Sequence, residues 1–250
     1  LEFRTTYAGS QQELTDKIAK LLKGDLEFFS VMAQDGLRLD GYIMRPANFD
    51  PTKKYPIINY VYGEPASQTV GDNYHLRNIW SLMMTQKGFL VSSVDNRGTK
   101  APRGRDWRRS VYGNIGPLGA KDQADALQAM CDRWSYIDCN RVGVWGHSGG
   151  GTMTLNLLFR YPDLYHVGVS RAPVPDQRLY DSIYQERYSG LLSDFEDNYK
   201  QASAITHAKN LAGKLLLIHG TGDDNVHYQG TERLQNELIK HNRQFDFMAY

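Results

Sequence analysis

The 250-residue sequence predicts an α/β domain: a mostly parallel central sheet with an antiparallel start, flanked by helices. Three observations carry that prediction. From Ile57 onward, short apolar runs alternate with stretches of helical spacing. Several of those runs are apolar at successive positions, as in strands covered by helices on both sides. Before Ile57 the alternation is absent, and the runs 26–32 and 37–44 flank Asp35-Gly36, a turn pair suited to a hairpin.

The elements follow in order. Ser10-Gln11-Gln12-Glu13 is a capping-box signature, and Leu14, Ile18, Leu21 and Leu22 repeat at helical spacing until Gly24. Residues 1–25 are therefore an N-terminal helical segment, and 26–250 the α/β domain. Beyond the hairpin, strands are predicted at 57–62, 89–94, 141–145, 166–170, 215–218 and 245–250. Helices are predicted at 76–86, 121–134, 152–160 and 229–240. The tyrosine-rich stretch 180–199 interrupts the alternation and reads as an insertion beside the site.

Composition narrows the function classes. A formal net charge of +1 offers no field for nucleic acid or an acidic membrane. No run is long and apolar enough to span a bilayer. Arg97, Lys100, Arg103, Arg105, Arg108 and Arg109 form a local basic cluster, read as a solvated loop with internal ion pairs. Cys131 and Cys139 are too few for a disulfide scaffold and lack the paired spacing of a zinc site, so they leave the redox compartment unread. Neither metal nor cofactor is predicted.

Ser148 is the most informative residue. It sits in Gly146-His147-Ser148-Gly149-Gly150, after the apolar run 141–145 and before the helical run 152–158. A strand, a glycine-fenced serine and a helix form a nucleophile elbow, in which a cramped turn lifts one hydroxyl above the sheet. The helix start behind it offers free N–H groups to a developing anion. A serine nucleophile needs a base and an orienting carboxylate. The run 215–218 leads into His219-Gly220-Thr221-Gly222-Asp223-Asp224-Asn225-Val226-His227, an acidic loop at a strand's carboxyl end, where open α/β sheets place their sites. Chemistry alone does not separate Asp223 from Asp224.

Five segments occur in order: Val61-Tyr62-Gly63-Glu64-Pro65, Asp95-Asn96-Arg97-Gly98, the serine motif, the run from Tyr180 to Tyr188, and the acidic loop. Together they resemble the catalytic domain of the prolyl oligopeptidase family, in its dipeptidyl peptidase IV branch, over residues 26–250. The resemblance implies an α/β-hydrolase fold and a serine peptidase that releases N-terminal dipeptides after a penultimate proline or alanine. It implies Ser148 as nucleophile and Asp223 as triad acid. The Tyr62 hydroxyl and the Gly149 N–H would be the two oxyanion donors. Tyr180 and Tyr184 would form the aromatic walls of the proline pocket, Val174 and Val226 its apolar lining, and Asn225 a donor to a substrate carbonyl. An acylaminoacyl peptidase or esterase on the same fold, and a non-catalytic hydrolase-like binding module, are the alternatives.

The sequence also departs from the family pattern. Gly149 stands where many relatives carry tyrosine and Gln177 where some carry tryptophan, so a roomier pocket is expected; Glu64 stands where glycine is frequent. The resemblance places the triad histidine past Tyr250 and a β-propeller before residue 1. It leaves His147, His219, His227 and His241 as structural residues. It further implies peptide substrates, a homodimer of the full-length protein, and a periplasmic or cell-surface location.

Overall fold

The computed structural model describes Asp16 and residues 24–65, 67–73 and 76–250. The predicted helix before Gly24 lies outside the described residues, Asp16 excepted. Eight strands form one sheet: β1 (Gly24–Met32), β2 (Arg38–Pro46), β3 (Tyr55–Tyr60), β4 (Leu90–Asp95), β5 (Ile137–His147), β6 (Val167–Arg171), β7 (Lys214–His219) and β8 (Asp246–Ala249). Their order across the sheet is β1-β2-β4-β3-β5-β6-β7-β8. The β1–β2 hairpin and the β2–β4 pair are antiparallel, and every later pair is parallel. The antiparallel start predicted from Asp35-Gly36 is present, with Met32 opposite Arg38 and Gly36 at φ 81°.

The α-helices bounded within the described residues are α1 (Leu76–Gln86), α2 (Gly104–Arg109), α3 (Pro117–Arg133), α4 (Gly149–Arg160), α5 (Ser182–Ser189), α6 (Glu196–Ala202) and α7 (Gln229–Lys240). All six residues of β4 are buried, as a strand covered on both faces requires. On one side of the sheet the core packs Ile57, Val142, Val144, Leu215 and Leu217 with Ala124 and Leu127 of α3, Leu155 and Leu158 of α4, and Leu234 and Leu238 of α7. Helix α4 lies deepest: every residue from Gly149 to Phe159 is buried. Among the described residues, no helix is long and apolar enough to cross a membrane.

Three differences from the sequence reading have physical causes. Helix α3 begins at Pro117, four positions before its expected start, because proline is tolerated in a first turn whose N–H groups have no intrahelical partner. Helix α2 is too short for periodicity to reveal; it is pinned by buried Trp107, whose indole N–H donates to the Thr99 carbonyl at 3.1 Å. The cysteines, read as too few for a scaffold, form one bridge, Cys131–Cys139, which ties the end of α3 to β5. The turn between them, with the Ile137 N–H bonded to the Trp134 carbonyl, returns the chain on itself and brings the two together.

Within the basic cluster, Arg97 and Arg103 are ion-paired among the described residues, and their partners lie outside the loop. Arg97 binds Asp122 at 2.6 Å and Asp35 at 2.8 Å, and Arg103 lies over the Trp107 ring at 4.2 Å.

Candidate active site

Strand β5 runs directly into Ser148, and α4 begins at the next residue. Ser148 has φ 59° and ψ −121°, a left-handed backbone that L-residues rarely adopt. The surrounding structure holds it there: its N–H donates to the carbonyl of Arg171, the last residue of neighbouring β6, at 2.9 Å. The turn closes only because its glycines lack side chains. A Cβ at Gly146 would meet the Gly150 backbone at 2.4 Å. The predicted elbow is thus realised in backbone, register and burial.

Tyr62 follows β3, the strand next to β5, which sets its hydroxyl close to the Ser148 side chain. Burial, with the nearby Glu64 carboxyl, pushes the Tyr62 hydroxyl up, so it stays a neutral donor at physiological pH. The Asp95-Asn96-Arg97-Gly98 segment supports this loop from behind. The Asn96 amide donates to the Gly63 carbonyl at 2.9 Å and accepts from Gln123 at 3.0 Å. Asp95 accepts from the Thr69 and Val70 backbone N–H groups, fixing the far end of the same loop.

The tyrosines stand on the inserted segment. The Tyr184 hydroxyl donates to Glu64 Oε2 at 2.9 Å. Its ring meets Tyr180 edge-on at 5.6 Å and Tyr188 at 5.0 Å. The Tyr180 hydroxyl donates to Asn225 Oδ1 at 3.2 Å, and the Asn225 N–H donates to Asp223 Oδ1 at 3.1 Å. A single run of contacts therefore links Glu64, Tyr184, Tyr180, Asn225 and Asp223, with Tyr62 and Ser148 beside its Glu64 end. Val174 and Val226 are buried beside it: the Val174 N–H bonds Thr152 of α4, and the Val226 N–H bonds Asp223 at 2.9 Å.

Asp223 and Asp224 differ once folded. Asp224 is exposed, whereas Asp223 is half-buried and accepts two backbone N–H bonds. Burial pushes the Asp223 carboxyl up, but the Val226 and Asn225 N–H groups outweigh it and hold it below the ordinary aspartate range. Asp223 lines a cavity of about 700 Å³ with His147, Arg171, Ala172, Gly220 and Tyr250.

His219 also reaches that cavity but is fully engaged. Its Nε2 donates to the Val226 carbonyl at 2.8 Å, so Nδ1 accepts from the Thr231 hydroxyl at 2.7 Å. His241 bonds Glu237 at 2.9 Å, and His147 bonds the Arg171 backbone. Among the described residues, no group of three or more His, Cys, Asp or Glu is arranged to hold a metal ion.

The sequence marks Glu64 only as a departure, yet it joins the serine turn to the tyrosine segment. Its side chain is buried against Gly149 and bonded to Tyr184. The legible signal was the pairing of a side-chain-free position after the serine with an unexpected long side chain after Tyr62-Gly63.

A parallel sheet carrying a strand–serine–helix turn at its carboxyl edge defines an α/β-hydrolase. Residues 75–250 match the prolyl oligopeptidase family. The chain is 38% identical over 237 residues to a probable dipeptidyl-aminopeptidase B of Arthroderma gypseum, covering 92% of this chain and 26% of the relative. It is 35% identical over 235 residues to dipeptidyl peptidase 4 of Trichophyton rubrum, covering 92% of this chain and 30% of the relative. The crystal structure of Porphyromonas gingivalis dipeptidyl peptidase 4 superposes with a TM-score of 0.86 at 38% identity, over 91% of this chain and 32% of that one. This chain belongs to the prolyl oligopeptidase family. It spans about a quarter to a third of the length of these relatives.

Proposed function

We propose that this chain is the catalytic domain of a serine peptidase that releases N-terminal dipeptides, cleaving after a penultimate proline or alanine. The observation that carries the reading is the strained Ser148 turn packed against Glu64, from which a run of contacts through Tyr184, Tyr180 and Asn225 reaches the backbone-held Asp223. In this reading Ser148 Oγ attacks the scissile carbonyl and its proton passes to a histidine. The oxyanion forms between the Tyr62 hydroxyl and the Gly149 N–H. The amine then leaves with that proton, and water hydrolyses the acyl-enzyme. Preorganised donors of this kind are each worth about 3 to 4 kcal/mol in comparable sites.

Asp223 is the acid that orients the histidine. In this reading the base is a histidine that the family resemblance places after Tyr250, and the Asp223 cavity, which Tyr250 lines at the end of β8, leaves room for its ring beside the acid. Tyr180 and Tyr184 supply flat walls for a proline ring, which brings no N–H to satisfy. Val174 and Val226 complete the apolar lining, and the Asn225 NH₂ is left to hold a substrate carbonyl. The amine-binding acids belong to a preceding propeller, and the complete protein is a homodimer.

The test uses the complete polypeptide. It should release Gly-Pro from a Gly-Pro reporter far faster than it deacylates an acetyl-alanyl one. S148A should abolish both turnover and fluorophosphonate labelling. Preferred turnover of the acetyl-alanyl reporter would replace this reading with an acylaminoacyl peptidase.

A further inference from the structure

Among the described residues, no cation pairs with buried Glu64. Buried Asp122, Asp125 and Asp176 each meet an Arg or Lys side chain within 2.8 Å. The recorded side-chain partner of Glu64, at 7% exposure, is the Tyr184 hydroxyl. Its position is equally specific. A Cβ built on Gly149 would stand 2.7 Å from Glu64 Oε2, 2.9 Å from Cδ and 3.1 Å from Cγ. The carboxyl therefore occupies the volume that a side chain next to the nucleophile would take.

We propose that Glu64 is a specificity-determining residue: it fills the floor of the pocket beside Ser148 in place of a side chain at position 149, and it anchors Tyr184 as the pocket's wall. The proposal rests on the reading of Tyr180 and Tyr184 as the walls that receive the residue on the acyl side of the scissile bond. Absence of a side chain at 149 by itself predicts a roomier pocket; the Glu64 side chain takes that room back. Pocket depth is then set by Glu64, which admits proline and alanine and turns away longer side chains. The Tyr184 bond adds orientation, since its ring can swing only if its hydroxyl leaves the carboxyl.

The test measures inactivation of the complete polypeptide by two diphenyl phosphonates, one built on Gly-Pro and one on Gly-Leu. Ser148 Oγ forms a bond to phosphorus as phenol departs, so the rates read how each side chain fits the pocket. Glu64→Ala should raise the Leu-to-Pro rate ratio by about tenfold, the scale at which a pocket senses a methylene or more of added space. Glu64→Gln preserves volume and an acceptor for Tyr184 and should leave the ratio near that of the unaltered protein. Glu64→Asp should move it in the same direction as Ala, and it serves if the Ala variant does not fold. A general loss of packing would slow both probes together and leave the ratio still.

An unchanged ratio in both Glu64→Ala and Glu64→Asp overturns the proposal. Release of Gly-Pro by the unaltered protein is scored separately. Its failure alongside intact labelling overturns the dipeptidyl peptidase reading, while the ratio still reads the pocket. Failure of both probes to label the unaltered protein overturns both.

Discussion

A Cβ placed on Gly150 would stand 2.2 Å from the carbonyl oxygen of Val61, so the backbone of α4 and the end of β3 touch with no side chain between them. That approach is what brings Tyr62 beside Ser148. Gly150→Ala should force the two apart at a cost of about 1 to 3 kcal/mol or more. The melting temperature should fall, and fluorophosphonate labelling of Ser148 should slow even in the folded fraction. A variant with an unchanged melting temperature and labelling rate would show that the approach can widen without harm.

Tyr62→Phe removes a single hydroxyl and keeps the ring. Because only the transition state carries the oxyanion, kcat should fall by on the order of 10²- to 10³-fold while KM stays close to its original value. Steady-state kinetics on a Gly-Pro reporter check this. A rise in KM alone would make Tyr62 a wall of the pocket and not an oxyanion donor.

Glu64 couples the site to pH. Burial pushes its carboxyl up to about 7, partly offset by the Tyr184 hydrogen bond. The folded protein therefore holds this proton more tightly than the unfolded chain, whose glutamates titrate at the ordinary value of 4.5. The stability that neutral Glu64 permits is fully present below about pH 4.5 and is lost as pH rises to about 7. Glu64→Gln stays neutral throughout. Its stability relative to the unaltered protein should thus improve by about 2 to 3 kcal/mol between about pH 4.5 and pH 8. Urea titrations at the two pH values give the comparison, and a pH-independent gap would mean that Glu64 ionises freely in the fold.

Cys131 and Cys139 close a short loop, with a sequence separation of 8. Chain-entropy arguments assign such a loop about 2 to 3 kcal/mol. Cys139→Ser, or thermal melts in a strong reductant, should lower stability by that amount and leave the sheet's far edge at β8 unaffected in hydrogen exchange. Identical melts with and without reductant would show that the bridge adds nothing.

Much of this was legible in the chain, for identifiable reasons. The alternation of apolar runs with helical spacing revealed β3 to β8 and the four long helices, and the Asp35-Gly36 turn pair revealed β1 and β2. The elbow was legible because glycine at 146, 149 and 150 has a steric job that other residues cannot do. Helices α2, α5 and α6 were not, since each spans too few turns to repeat an apolar face. The Cys131–Cys139 pair escaped because spacing does not say whether a turn brings two thiols together. Glu64 was visible only as an oddity: its meaning lies in the volume it shares with Gly149, and a linear sequence does not display shared volumes. Asp223 and Asp224 are alike as letters, and only the folded loop, with two N–H groups aimed at the first, tells them apart.

The burial of α4 has one more consequence. Its residues from Gly149 to Phe159 have almost no contact with solvent, and the serine sits at the mouth of that helix. Loops and edges open easily, whereas deeply packed elements open only when the whole molecule does. The elbow has no local route to disorder. Heat inactivation and loss of the tertiary fold should therefore be one event, and amide protons along α4 should be among the last to exchange. Engineering for heat tolerance would gain nothing from stiffening the serine turn; the rim segments at 180–199 and 220–228 are where catalytic geometry can drift first.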